Sequence, residues 1–504
     1  MKTIFPLLLL LTCLNARAAF TEFYYNSTGT NVNAGSTTNA TPLFSATAGD
    51  WVAATGVYTK AGSDLSAVSA GMWASVYVDG ATTAQFIGRI TAVNDGADTI
   101  TVSTTIKTGT APADGTATRS IRVGGAWYGP WFSGATVDTF PFGLVNNLLT
   151  NTSLHMTRVN VQNFDFTRCT NVVVFSNGPI RFQGYATNAG DGARVGVNYA
   201  SYIATSSSGI GTSTLSVSGV NIDLVDLFFF GGGASGNPIG VLINAAECSV
   251  SRCLFKDMRG IGLQMSVGGL VEECEAVNCN SANTSVQPAF LFTAQGVIAR
   301  RCIAHDNVGA TTSGFQISQS ATMQDCIAAG NGRDGLTINA TTAASVYGCD
   351  FYGNGTNGIN MTGSGAVQIN IENCTFIKNG AGLTGAYAIN SSGGSLRNGN
   401  VLNCAFGTGT TGTNGSGGAN IFAGTTLEET GSIGFASNVT PWVDPVNGNF
   451  SKTNTVTTVL GVGRGSFFQA GSSTYTGTAS YPDIGATQIT NSPGGVMAYP
   501  LSRR

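Results

Sequence analysis

Residues able to do acid–base or metal chemistry are sparse in this chain, and where they recur they keep fixed distances from a cysteine. Asp257, Asn278 and Asp306 stand four residues after Cys253, Cys274 and Cys302, with His305 alongside. An oxygen-rich column of this kind suits a hard cation such as Ca2+. In stacked strands its two aspartates would be two coils, about 10 Å, apart, so one ion cannot bind both directly. Arg252, Glu273, Arg301 and Asp325 each precede a cysteine and alternate in sign, the pattern of a surface salt-bridge ladder. Arg333 and Asp334 pair locally in a bend. A third set is neutral: Gln264, Gln316, Ser318, Thr337, Asn339, Asn360, Thr362 and Asn390, with Gly262 and Ala388 among them, alternate with apolar residues. Amides and hydroxyls hydrogen-bond neutral, hydroxyl-rich ligands. The set lacks the paired carboxylates that acid–base cleavage of a glycosidic bond requires. His155 and His305 are the only histidines, and no recurring serine or acidic partner phrase around either supports a hydrolytic triad.

What positions these residues is a repeat. Anchored on Cys253, Cys274, Cys302, Cys326, Cys349, Cys374 and Cys404, one phrase recurs about every 21 to 30 residues, the period of a solenoid. Each unit has an apolar residue three before the cysteine (Val250, Val271, Met323, Val346, Ile371, Val401) and Phe or Ala two after it (Phe255, Ala276, Ala304, Ala328, Phe351, Phe376, Phe406). Spacing of two is strand alternation, and spacing of three needs a bend between the residues. Asn307, Asn331, Asn354 and Asn379, five after the cysteine, mark a second bend; three of them precede Gly, which suits φ > 0. A third strand follows, with inward Ile261 and Leu263, Phe315 and Ile317, Leu336 and Ile338, Ile359 and Met361, and Tyr387 and Ile389. Units so rich in Gly, Asn and Thr are poor helix formers, which excludes a helical solenoid. The cysteines should stack as a buried ladder of free thiols rather than a disulfide framework, with Cys248 and Cys279 outside the register.

These phrases closely resemble the repeats of right-handed parallel β-helix proteins of the pectate lyase-like superfamily, in which a column of stacked asparagines marks one bend. The resemblance implies an all-β, right-handed, single-stranded parallel β-helix of three-strand coils. Asp444, Pro445, Asn447 and Gly448, then Asp483, Ile484, Gly485 and Ala486, resemble the last coils of secreted bacterial members. Members that are lyases hold Ca2+ in a carboxylate cluster beside a cationic base, and related hydrolases use neighbouring aspartates. Neither pattern maps onto this chain residue by residue.

Residues 1–18 read as a secretory signal: one basic residue, Lys2, before an apolar run from Ile4 to Leu11, and Ala16-Arg17-Ala18 for cleavage. Residues 19–123 lack cysteine and form separate alternating runs, with Asn94-Asp95-Gly96 as a hairpin signal, predicting a small all-β domain. The β-helix occupies 124–490, opening on a cap that contains Trp127, Trp131 and Phe132 and ending in degenerate coils; 491–504 is a tail. Only 10% of residues are charged and the net charge is −3, which argues against nucleic acid and anionic membranes as partners. No later apolar run is long enough to span a bilayer, so membrane insertion is not expected.

The sequence thus points to a secreted or cell-surface protein, monomeric or trimeric, that presents its neutral third-strand face to extracellular polysaccharide without a cofactor. Two alternatives stand beside it. One is a polysaccharide lyase or glycoside hydrolase working near Arg158, Asp165, Arg168, Arg181, Asp223 and Asp226, with Ca2+ as the cofactor to test. The other is a structural filament or virion appendage.

Overall fold

The computed structural model describes residues between 21 and 452, nearly continuously over 41–128 and 213–407 and as separate strands elsewhere. The expected signal segment, His155, the Asp483 phrase and the tail lie outside the described residues, as do the side chains of Trp127, Trp131 and Phe132. The chain divides into two compact units, one holding the first 131 residues with segments 138–164 and 177–191, the other holding the remainder.

In the first unit, residues 44–123 close into an antiparallel barrel. Its strands run in the order Phe44–Val52, Val57–Thr59, Thr99–Gly109, Phe86–Asn94, Trp73–Val78 and Gly115–Val123, the last pairing with the first. Trp51, Tyr58, Phe86, Ile100, Val102 and Ile121 fill it. The Asn94-Asp95-Gly96 turn joins two of these strands as expected, through one 3-10 turn closed by Asp98 in the left-handed region at φ 52°. Strand Thr21–Asn26 lies outside the barrel, parallel to Thr157–Val161, which in turn pairs with Ile180–Gly184.

The second unit is a parallel β-solenoid whose coils each contribute three short strands. The first face runs from Ile222–Val225 to Leu427–Thr430, the second from Tyr202–Ala204 to Ile433–Phe435, and the third, of ten strands, from Val173–Phe175 to Phe422–Ala423. The inward columns follow the repeat: Val250, Cys253, Phe255, Leu263 and their equivalents are buried. Aromatic bulk moves between the second and third faces along the solenoid. Where the second face narrows to Ala276 and Ala304, the third face supplies Phe290 and Phe315, stacked with ring centroids 5.1 Å apart; where it widens to Phe351, the third face carries Ile359 and Met361.

Two bends are built from left-handed residues. At the first, Asp226, Arg252, Glu273, Arg301, Asp325, Gly348 and Asn373 all have φ between 51° and 62°. Where a cysteine follows, it turns inward, and thiols such as Cys274 Sγ (to Val250 O, 3.3 Å) and Cys302 Sγ (to Val271 O, 3.4 Å) donate to a carbonyl of the preceding coil. All nine described cysteines are free and buried. At the second bend the positive φ falls on Asp257, Asn278, Asp306, Gly330 and Gly353, one residue before the asparagine column, with Asn280 left-handed after it as well. Gly355 is instead required by close approach, since a Cβ there would lie 2.2 Å from Gly332 O. The asparagines form the expected ladder, each Nδ2 donating to the next Oδ1: Asn307 to Asn331 at 2.7 Å, Asn331 to Asn354 and Asn354 to Asn379 at 2.8 Å. Cys279 occupies the same column, its backbone N–H donating to Asn307 Oδ1 at 2.7 Å.

Candidate functional site

The third face exposes one side-chain position per strand, and register pairs Ser216, Leu242, Gln264, Leu291, Gln316, Thr337, Asn360 and Asn390 into one column. The next position outward stacks Asn244, Ser266, Thr293, Ser318, Asn339 and Thr362 through backbone bonds of 2.7–3.0 Å. The two columns are joined within coils: Gln264 Nε2 donates to Ser266 Oγ at 2.9 Å and Gln316 Nε2 to Ser318 Oγ at 3.2 Å. The hydroxyl of Thr362 donates to Asn339 Oδ1. All eight nominated residues therefore lie on one face, but two features differ from the expectation.

First, the face is not uniformly polar, because Leu242 and Leu291 interrupt the amides. Second, Thr337 and Asn360 are only 4% and 6% accessible, drawn inward by a carboxylate the sequence placed in a local pair. Asp334 is fully buried in the bend before the third face. Its Oδ1 accepts from Thr356 Oγ1 (3.0 Å), Asn357 N (3.1 Å) and Asn357 Nδ2 (2.8 Å); its Oδ2 accepts from Asn360 Nδ2 (2.9 Å) and Thr337 Oγ1 (3.2 Å). Arg333 Nε approaches Oδ2 at 3.3 Å, so the local pair exists as one member of a network spanning neighbouring coils. Gly262 and Ala388, assigned outward, are buried: a Cβ on Gly262 would meet Ala289 O and the Phe255 Cβ, each at 3.0 Å. Ile261, Leu263 and Ile389 are buried as assigned, but the strands themselves begin later, at Leu263 and Ile389, and Met265 is also inward.

The charged columns form pairs. Arg252 holds Asp226 through two bonds of 2.6 and 2.9 Å, and Arg301 contacts Glu272 and Glu273, the latter at 2.9 Å. Asp325 has one carboxylate oxygen buried without a hydrogen-bond partner, and burial pushes its pKa up to about 7, with Arg301 opposing. In the column nominated for a cation, Asn278 Nδ2–H donates to Asp257 Oδ1 at 2.6 Å, so the amide turns its donor and not its acceptor toward the carboxylate. Among the described residues no three His, Cys, Asp or Glu side chains are arranged to hold a metal. His305, around which no acidic phrase recurs in the sequence, meets two carboxylates: Nε2 lies 2.9 Å from Glu275 Oε1 and Nδ1 lies 2.8 Å from Asp306 Oδ2. Aligning the coils on their cysteines would have found Glu275, since the first and third residues after the cysteine share a side of the strand.

The first face carries chemistry that the third-strand reading missed. Two residues before the cysteine, register stacks Ser251, Glu272, Arg300, Gln324, Tyr347 and Glu372. Arg300 Nε donates to Glu272 Oε1 at 2.9 Å. Tyr347 and Glu372 are 6% and 4% accessible, and burial pushes the phenol of Tyr347 up, with Glu372 adding to the effect.

Residues 150–351 match the family described as the right handed beta helix region. No curated protein matches the chain. Among solved structures, pectate lyase Pel9A is similar over 66% of this chain and 87% of its own, at 13% identity and a TM-score of 0.47. The A-module of mannuronan C-5 epimerase AlgE4 from Azotobacter vinelandii is similar over 62% of this chain and 96% of its own, at 12% identity and a TM-score of 0.41. The enzymatically active domain of tailspike protein 2 from bacteriophage CBA120 is similar over 73% of this chain and 55% of its own, at 12% identity and a TM-score of 0.42. These are likenesses of fold, and they carry no residue's role across.

Proposed function

We propose that this right-handed, pectate lyase-like β-helix protein binds extracellular polysaccharide on the third face of its solenoid and does not cleave it. The observation that carries the reading is the register itself. Neutral donors and acceptors, Gln264, Ser266, Thr293, Gln316, Ser318, Asn339 and Thr362, recur at strand spacing over successive coils, a linear array suited to a linear polymer of hydroxyls. Asp334, the carboxylate beneath this face, has both oxygens engaged by donors, which leaves it no role as acid or base. On this reading the protein works outside the cell, as a monomer or trimer against a glycan surface, and requires no cofactor.

A second reading, cleavage, draws on the first face, where Glu272, Arg300, Tyr347 and Glu372 share one column. One experiment separates the two. The purified protein is expected to be retarded in gels containing neutral polysaccharide, with little change between low and high salt, and to release no unsaturated sugar from polygalacturonate with Ca2+ present. Chelator-sensitive release of unsaturated product, lost on Arg300→Ala, would establish the second reading instead.

A further inference from the structure

We propose that the third face reads an uncharged β-(1→4)-linked polysaccharide in its extended twofold form, lying along the solenoid axis with one sugar per coil. This rests on the polysaccharide-binding reading and names the polymer. The outward column alternates with a period of two coils: Leu242, Gln264, Leu291, Gln316. The polar steps are alike, since each Gln donates to the serine two residues on, at 2.9 and 3.2 Å. A glutamine amide has two N–H donors and a carbonyl acceptor, so one bond to serine orients it and leaves a donor and an acceptor for a ligand. The apolar steps are half-buried leucines, which offer a surface to the C–H face of a pyranose ring.

A surface with this period selects among polymers. In an extended β-(1→4) chain successive rings are flipped, so every second ring presents the same edge, and the disaccharide repeat of about 10 Å is close to two strand spacings, about 9.6 Å. Helical β-(1→3) chains do not return the same edge to a straight line at that interval. Charge decides the rest: none of the column residues from Ser216 to Asn390 is ionisable, so nothing in it pairs with a uronate.

The strip also has ends. Ser216 is 9% accessible on one side, and Thr337 and Asn360 are 4% and 6% accessible on the other, bound into the Asp334 network. Between them four coils present half-exposed side chains, room for about four sugars at one per strand spacing.

The test is calorimetric titration of the full chain with cello-oligosaccharides of two to six units, laminari-oligosaccharides and oligogalacturonates. Affinity is expected to rise with cello-oligosaccharide length up to about four units and then level off. Gln264→Ala should weaken tetramer binding about five- to tenfold, the loss of one neutral hydrogen bond. Leu291→Gln, which keeps the face folded and polar but breaks the alternation, should weaken it at least as much, with the melting temperature as the control on folding. Equal binding of laminari-oligosaccharides, or binding indifferent to both substitutions, would overturn the proposal and leave the polysaccharide reading standing. Preference for oligogalacturonates would overturn it on charge. Absence of binding to any glycan would remove both.

Discussion

Asp334 offers the most direct test of how the third face is held. Replacing it with Asn keeps the shape and removes one acceptor. If the remaining carbonyl takes the Oδ1 position, it still serves Thr356 and the two Asn357 donors, but an NH2 group then faces Asn360 Nδ2 and Arg333 Nε, now about 2.9 and 3.3 Å away. Thr337 can rotate its hydroxyl to accept; Asn360 and Arg333 cannot. At a site with no solvent access, orphaned donors of this kind imply a loss of about 2–3 kcal/mol. Arg333→Ala should cost only about 1 kcal/mol, because its side chain is 29% accessible and its contact is long. Urea denaturation gives the global value, and hydrogen exchange at the Asn357 amide, which donates to Asp334 Oδ1, gives the local one. A change below 1 kcal/mol for Asp334→Asn, with unaltered exchange at Asn357, would refute the network.

Other consequences follow from burial. Cys349 has no solvent access, so Cys349→Asp should lower stability by several kcal/mol by burying an unpaired charge, whereas Cys349→Ala should cost about 1 kcal/mol; equal melting temperatures would show that the cysteine column is not interior. Asp325, raised by burial to about 7, binds its proton more tightly folded than unfolded, so its contribution is present below the unfolded value near 4 and is lost as pH rises through about 7. Asp325→Asn should therefore stabilise the protein at pH 8 by up to about 4 kcal/mol, by less than half of that at pH 5, and hardly at all near pH 3; melting curves across this range check the sign.

The core columns were legible because they are periodic. A cysteine, a Phe or Ala two later and an asparagine five later recur in phase, and each column proves buried as its type requires. Two kinds of information were not periodic. The strand Phe290–Phe292 sits in a coil 28 residues long, the span from Cys274 to Cys302, so the leucine that breaks the polar column fell between recognised phrases. Asp334 reads locally as a partner of Arg333, yet Thr356, Asn357 and Asn360 reach it from 22 to 26 residues away. Bend residues misled for a different reason. Arg252, Glu273 and Arg301 hold left-handed backbone that favours Gly or Asn, and ion pairs between coils accompany that geometry at each of them.

The Asp334 network also decides what the third face can offer. Gln316 and Thr337 are neighbours in one column, both neutral hydrogen-bonding residues, yet one is half-exposed and the other buried. The difference lies in the bends: the coil of Thr337 enters its strand from Asp334, whereas that of Gln316 enters from Ser313, whose hydroxyl meets Thr337 Oγ1 at 2.8 Å. A buried carboxylate must gather donors, and it takes them from the nearest outward positions, Thr337 and Asn360. Where no carboxylate is buried beneath the face, at Gln264 and Gln316, the amide lies on the surface and is oriented by serine alone. One acidic residue in a bend thus divides a face of similar side chains into a part that holds coils together and a part left for a ligand.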